Sequence, residues 1–190
     1  NAISFKLAAA YSDHTIAALG VVSRVFSIAI FAFIGLSIGV QPLIAFNYGA
    51  QNYSRMKKVI KMSNLICLGM AVIFTLLFGL FPRELIAIFI NDRRIIRIGT
   101  QILKAYVIAI PFAGLGMILM AALQAMGKAL PAFIVSLSRQ GIVYIPMLFL
   151  LNYLFRFDGL IFAMPIADVI TTILSFTFVY HITKRLKSSA

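Results

Sequence analysis

Acidic residues are scarce: five Asp and Glu stand against seventeen Lys and Arg in 190 residues, and all charged residues together make up 12% of the chain. Soluble domains carry about 25%. So few polar side chains cannot cover the exterior of a small soluble domain. With 62% hydrophobic residues and a mean hydropathy of +1.02, the composition excludes an ordinary cytosolic enzyme and a disordered tail alike. Cysteine is almost absent. Cys67 stands alone inside an apolar run, which excludes an intrachain disulfide and reads as a small buried hydrophobe. The two histidines, His14 and His181, are far apart in sequence and make no local metal motif. The chain also lacks a GxGxxG fingerprint, a Walker lysine loop and an HExxH helix. No two acids share an apolar run, which disfavours intramembrane aspartyl chemistry. The expectation is a membrane protein that is not an enzyme and holds no metal.

The chain does have long hydrophobic stretches. A bilayer core about 30 Å thick needs about 20 helical residues, and five runs reach that length. They are expected at about 15–46, 62–81, 105–126, 129–155 and 159–182. None alternates with period two, so a transmembrane barrel is disfavoured. The fold expected is therefore all-α, a polytopic transmembrane helix bundle. Residues 1–11 (NAISFKLAAAY) read as the end of a helix whose beginning is missing. Asn47-Tyr48-Gly49, Gly127-Lys128 and Asp158-Gly159 supply turns. The link 82–104 mixes apolar and charged residues, as a short helix lying at the interface would.

A net charge of +12 could point to nucleic acid, but the basic residues cluster at the ends of apolar runs, where anionic head groups lie. No nucleic-acid partner is expected; the bilayer is. Arg55, Lys57, Lys58, Lys61, Lys128, Lys184, Arg185 and Lys187 fall on one side. Arg83, Arg93, Arg94, Arg97, Lys104 and Arg156 fall on the other. The larger group marks the cytoplasmic side and puts the C-terminus there.

In so apolar a chain, function is sought among polar groups deep in a span. Asp168 lies near the middle of the fifth run and shares a helical face with Met164, Thr171, Thr172 and Ser175. That face should point into protein or a wet cavity. The carboxylate reads either as a proton or cation group or as an acid locked to a partner for packing. In the fourth run Ser136, Gln140 and Tyr144 follow at steps of four, and Arg139 beside them is the expected partner of Asp168. Met117, Met120 and Gln124 share a face of the third run, where methionine could adapt to differently shaped solutes, though ordinary packing is the commoner role. Gly35 and Gly39 permit close helix approach. Ser23 and Ser27 are expected to bond their own helix. Pro42, Pro111, Pro146 and Pro165 can bend their helices, as transporters exploit to gate a cavity.

At Gln41-Pro42-Leu43-Ile44-Ala45-Phe46-Asn47-Tyr48-Gly49-Ala50 the chain resembles the multidrug and toxic compound extrusion (MATE) transporters. The resemblance continues through Pro82-Arg83-Glu84-Leu85-Ile86 with Phe89, Gln124-Ala125-Met126-Gly127-Lys128, Ser138-Arg139-Gln140 and Pro165-Ile166-Ala167-Asp168. It implies one lobe of a transporter of twelve helices in two six-helix lobes, which exports cationic and amphipathic compounds against entering H⁺ or Na⁺. By that pattern the chain looks like the C-terminal lobe, from the end of helix seven onward, with a missing N-terminal lobe as its partner. Another branch of the family uses acids on helices seven and ten as cation ligands. Here the third run, 105–126, contains no acid, which leaves the cation site unplaced. Asp168, Gln140, Tyr144, Gln124, Arg139 and Met120 are the cavity or coupling candidates, with no cofactor other than the coupling ion. The competing readings are a flippase for lipid-linked sugars of the same superfamily and a non-transport membrane scaffold.

Overall fold

A computed structural model describes residues 2–9 and 11–188, and among them every element is helical. The order is α1 (Ala2–Ala9), α2 (Asp13–Gly49), α3 (Tyr53–Leu80), α4 (Pro82–Ala87), α5 (Arg93–Ala125) and α6 (Ala129–Leu137). A π-helical turn (Ser138–Ile142) then leads into α7 (Tyr144–Ser188).

Local chemistry sets most boundaries. Ser12 caps α2 by accepting from the Thr15 amide, Asn52 caps α3 through Arg55 N–H, and Asp92 caps α5 through Arg94 and Ile95. Pro82 stops α3 and opens α4, where its missing N–H is an orphan in any case. The α5–α6 turn closes at Gly127, which has φ 67° and lets Lys128 N–H reach the Leu123 carbonyl.

Three boundaries differ from the sequence expectation. The left-handed residue after α2 is Gln51 (φ 57°), not a member of Asn47-Tyr48-Gly49, which stay helical. Residues 93–104, expected in the interfacial link, continue α5, because the Asp92 cap starts the helix there and leaves only 81–92 as connection. The last turn falls at Arg156 (φ 51°, ψ −121°), ahead of Asp158-Gly159. Gly159 serves close approach instead: a Cβ on it would run into the Leu151 carbonyl oxygen.

Four helical stretches are long and apolar enough to cross a bilayer, and the last, Ala129–Leu186, runs for 58 residues. A straight helix would hold Arg139 and Asp168 about 44 Å apart, yet they touch. The chain doubles back at Arg156 into a helical hairpin with limbs 144–155 and 157–188.

The long α5 is central, packing against α2, α3 and α7. Apolar side chains fill the bundle, among them Phe33, Phe78, Ile102, Ile110 and Leu148, all fully buried. Glycine permits the closest approach. A Cβ on Gly114 would lie 2.7 Å from Cys67 Sγ and 3.0 Å from Phe33 Cε1, so α2, α3 and α5 meet at that point. Much of the outside is apolar too: Phe31, Phe46, Leu80 and Tyr153 are 69%, 74%, 68% and 85% exposed. Water would not tolerate such a surface, and lipid would. The molecule is a multi-pass membrane protein.

Candidate functional site

The site begins at an irregularity. Pro146 has no N–H to give the Ile142 carbonyl, and its ring would crowd that carbonyl in a regular helix. The chain answers with the π-helical turn Ser138–Ile142, in which Val143 N–H bonds Ser138 O. The wider turn re-phases this limb and carries Arg139 and Gln140.

Arg139 Nε donates to Asp168 Oδ1 at 2.9 Å. Asp168 is 2% exposed, whereas the Arg139 side chain is 24% exposed. Asp168 Oδ2 is buried and has no hydrogen-bond partner among the described residues. With 157–188 spanning about 48 Å of helix, the carboxylate lies about 7 Å from the limb's midpoint, inside a 30 Å core. Of the face expected from sequence, Thr171, Thr172 and Ser175 are buried with Asp168, while Met164 is half-buried at the cavity. Thr172 Oγ1 donates to Phe112 O at 2.7 Å across to α5, and Gly116 leaves room for it.

The pair borders a cavity of about 510 Å³, well within the range of small-molecule sites. Gln140 and Tyr144 line it from the fourth run, Met164 from α7, Met117 and Tyr106 from α5, and Phe26 from α2. The Tyr144 and Ser4 hydroxyls bond at 2.6 Å and tie α1 to the hairpin. The phenol of Tyr106 packs edge to face on Phe26, with centroids 5.4 Å apart. The arrangement offers an aromatic and methionine lining, one cation, one buried carboxylate with a free oxygen, and several hydroxyls. It can hold a compact amphipathic molecule and discriminate its charge.

Four of the six sequence candidates, Asp168, Arg139, Gln140 and Tyr144, therefore meet at one cavity. Two do not. Gln124 accepts from Gln41 Nε2 at 2.9 Å at an exposed position; it shares the face of Met117 but lies about 10 Å farther along α5. Met120 is turned toward α6 and α7, where it lines a cleft of about 10 Å³ behind the ion pair. Sequence reasoning missed Ser4, Phe26 and Tyr106. Their signal is faint, because a serine or an aromatic ring in an apolar run is ordinary packing until its neighbours are known. Ser23 and Ser27 do bond the carbonyls of Leu19 and Ser23, as expected, yet they also line the cavity.

The described residues thus form a polytopic helical bundle with one ion pair at mid-depth beside a largely apolar cavity. The chain belongs to the MatE family, whose model matches residues 1–150. It is 34% identical over 181 residues to the multidrug export protein MepA of Staphylococcus haemolyticus and 33% identical to that of Staphylococcus saprophyticus. The match covers 94% of this chain and 39% of each relative. The chain thus spans about two-fifths of the length of the curated relatives it matches. Among solved structures it superposes on the Vibrio cholerae MATE transporter VcmN in the bent form, with TM-score 0.87 and 21% identity over 96% of this chain and 41% of that one. A transporter of the MOP superfamily from Pyrococcus furiosus gives TM-score 0.90 at 14% identity, over 97% and 42%. These structural likenesses establish the fold.

Proposed function

We propose that this chain is the C-terminal lobe of an ion-coupled exporter of cationic or amphipathic compounds, working by alternating access in the cell membrane. It crosses the bilayer five times after the end of a further helix, with its C-terminus in the cytoplasm. The observation that carries the reading is Asp168, bonded by Arg139 through one oxygen and unpartnered at the other, on the border of the 510 Å³ cavity. Its relatives' name, multidrug export protein, supports the substrate class.

A lipophilic cation enters the cavity by leaving water for Phe26, Tyr106 and Met117, and the free oxygen of Asp168 gives its charge a counterpart. A proton or sodium ion arriving at the same carboxylate competes with both the solute and Arg139. Binding of one therefore lowers affinity for the other, which is the linkage that antiport requires. The remaining lobe supplies the opposite side of the pathway.

The test is gradient-driven efflux of a cationic dye by the full-length protein reconstituted in liposomes. Asp168→Asn keeps normal membrane levels and loses gradient-driven efflux. Unaltered efflux from that variant removes Asp168 from the coupling role.

A further inference from the structure

At the opposite end of α5 from Gln124, a second cavity of about 600 Å³ is lined by Arg83, Arg93, Ile96, Arg97, Thr100 and Gln101. Five of these follow one stripe of α5, at steps of three, four, seven and eight from Arg93. Arg83 comes from α4. The two helices meet because Ile86 is fully buried against Gly99, where an added Cβ would lie 3.0 Å from Ile86 Cδ1. That packing brings Arg83 to the same cavity as Arg93 and Arg97. Arg83, Arg93 and Arg97 take part in no ion pair among the described residues. Three like charges thus line one cavity whose lining holds no carboxylate, although Glu84 and Asp92 adjoin Arg83 and Arg93 in the chain, and the potential there favours an anion.

The depth identifies the anion's source. α5 is about 50 Å long, so a 30 Å hydrocarbon core centred on it leaves Arg93 and Arg97 at head-group level and Thr100 and Gln101 at the core's edge. Flanking Arg83 are Leu80, Phe81, Ile88 and Phe89, which are 68%, 51%, 75% and 43% exposed. Guanidinium groups match phosphate oxygens in a fork geometry that ammonium groups do not.

We infer that this cavity is a binding site for an anionic phospholipid. Its phosphodiester sits among Arg83, Arg93 and Arg97, its glycerol-ester oxygens lie beside Thr100 and Gln101, and its acyl chains lie on the exposed apolar residues around α4. The inference needs only that the chain is membrane-embedded and stands or falls independently of the transport reading.

Native mass spectrometry of the full-length protein, titrated with phosphatidylglycerol or phosphatidylcholine, tests it. The wild type binds phosphatidylglycerol in preference to phosphatidylcholine. The triple variant R83Q/R93Q/R97Q loses about fivefold in affinity per arginine, about a hundredfold in all. R94Q, at an exposed arginine outside the cavity, binds as wild type does, and R83K/R93K/R97K, which keeps the charge without the fork, falls between the wild type and the glutamine variant, which separates lost charge from lost fold. Equal affinity for the two lipids, or an unchanged triple glutamine variant, overturns the assignment. Saturation by inorganic phosphate alone, at the same site and without lipid, overturns the lipid as occupant.

Discussion

Removing either member of the Arg139–Asp168 pair should have unequal consequences, and the inequality follows from where each side chain sits. Arg139→Gln leaves Asp168, 2% exposed, without its cation and with an oxygen that already lacked a partner. An uncompensated buried charge of this kind costs about 3–5 kcal/mol. Asp168→Asn removes the charge but keeps an acceptor for Arg139 Nε, and Arg139 is 24% exposed toward a cavity where water can reach it. The loss is then closer to that of one charge-assisted hydrogen bond, about 1–2 kcal/mol. The double variant R139Q/D168N, with no charge left, should be more stable than R139Q by about 2 kcal/mol, because the two positions share one interaction. Cys67 supplies the assay. It is the sole cysteine of these 190 residues and fully buried, so with any cysteine elsewhere in the full-length protein replaced, a thiol-reactive fluorophore reports thermal unfolding in detergent. Arg139→Gln should lower the melting temperature by roughly 10 °C and Asp168→Asn by less than half of that. Equal shifts, or a double variant no more stable than R139Q, would refute the reasoning that Asp168 is the buried, dependent partner.

Two further outcomes test the packing and the cap. Gly114→Ala should destabilise the bundle by about 1–3 kcal/mol, since the new methyl overlaps Cys67 and Phe33 where three helices converge; a helical melting curve unchanged from wild type would show that these neighbours yield freely. Asp92 lies outside the spans, and its hydrogen bonds from the Ile95 and Arg94 amides hold its carboxyl below the ordinary 3.8. A lowered folded value means the cap's contribution is present above 3.8 and is lost as pH falls through the lowered value. The Arg94 and Ile95 amide resonances should shift with a midpoint below 3.8, and show no transition in D92N, where Asn caps at every pH; a midpoint at or above 3.8 contradicts the cap.

The sequence was informative where the chemistry is local or one-dimensional. Asp168 in an apolar run is costly wherever the helix packs, so its burial and its need for a partner were legible. Arg139 was legible as that partner because it is a cation placed at similar depth in the adjoining run. Gln124 misled because a shared helical face says nothing about distance along the axis. Residues 93–104 misled because their charges read as interface, although the Asp92 cap had already begun the helix. Tyr106, Phe26 and Ser4 carried no warning, since nothing in their own neighbourhoods separates a cavity lining from a packed core.

Hydropathy, run length and charge placement by themselves determined that this chain lives in lipid as helices, because those properties belong to each segment alone and do not depend on its neighbours. Depth in the spans named Arg139 as the partner for Asp168, but how the two are brought into contact, and what else gathers around them, was decided only by the tertiary structure. The π-helical turn before Pro146 and the reversal at Arg156 bring together residues 29 positions apart in sequence. The Ile86–Gly99 contact gathers three arginines around one cavity. Both encounters depend on how separate helices pack against one another, and no local pattern of residues encodes that.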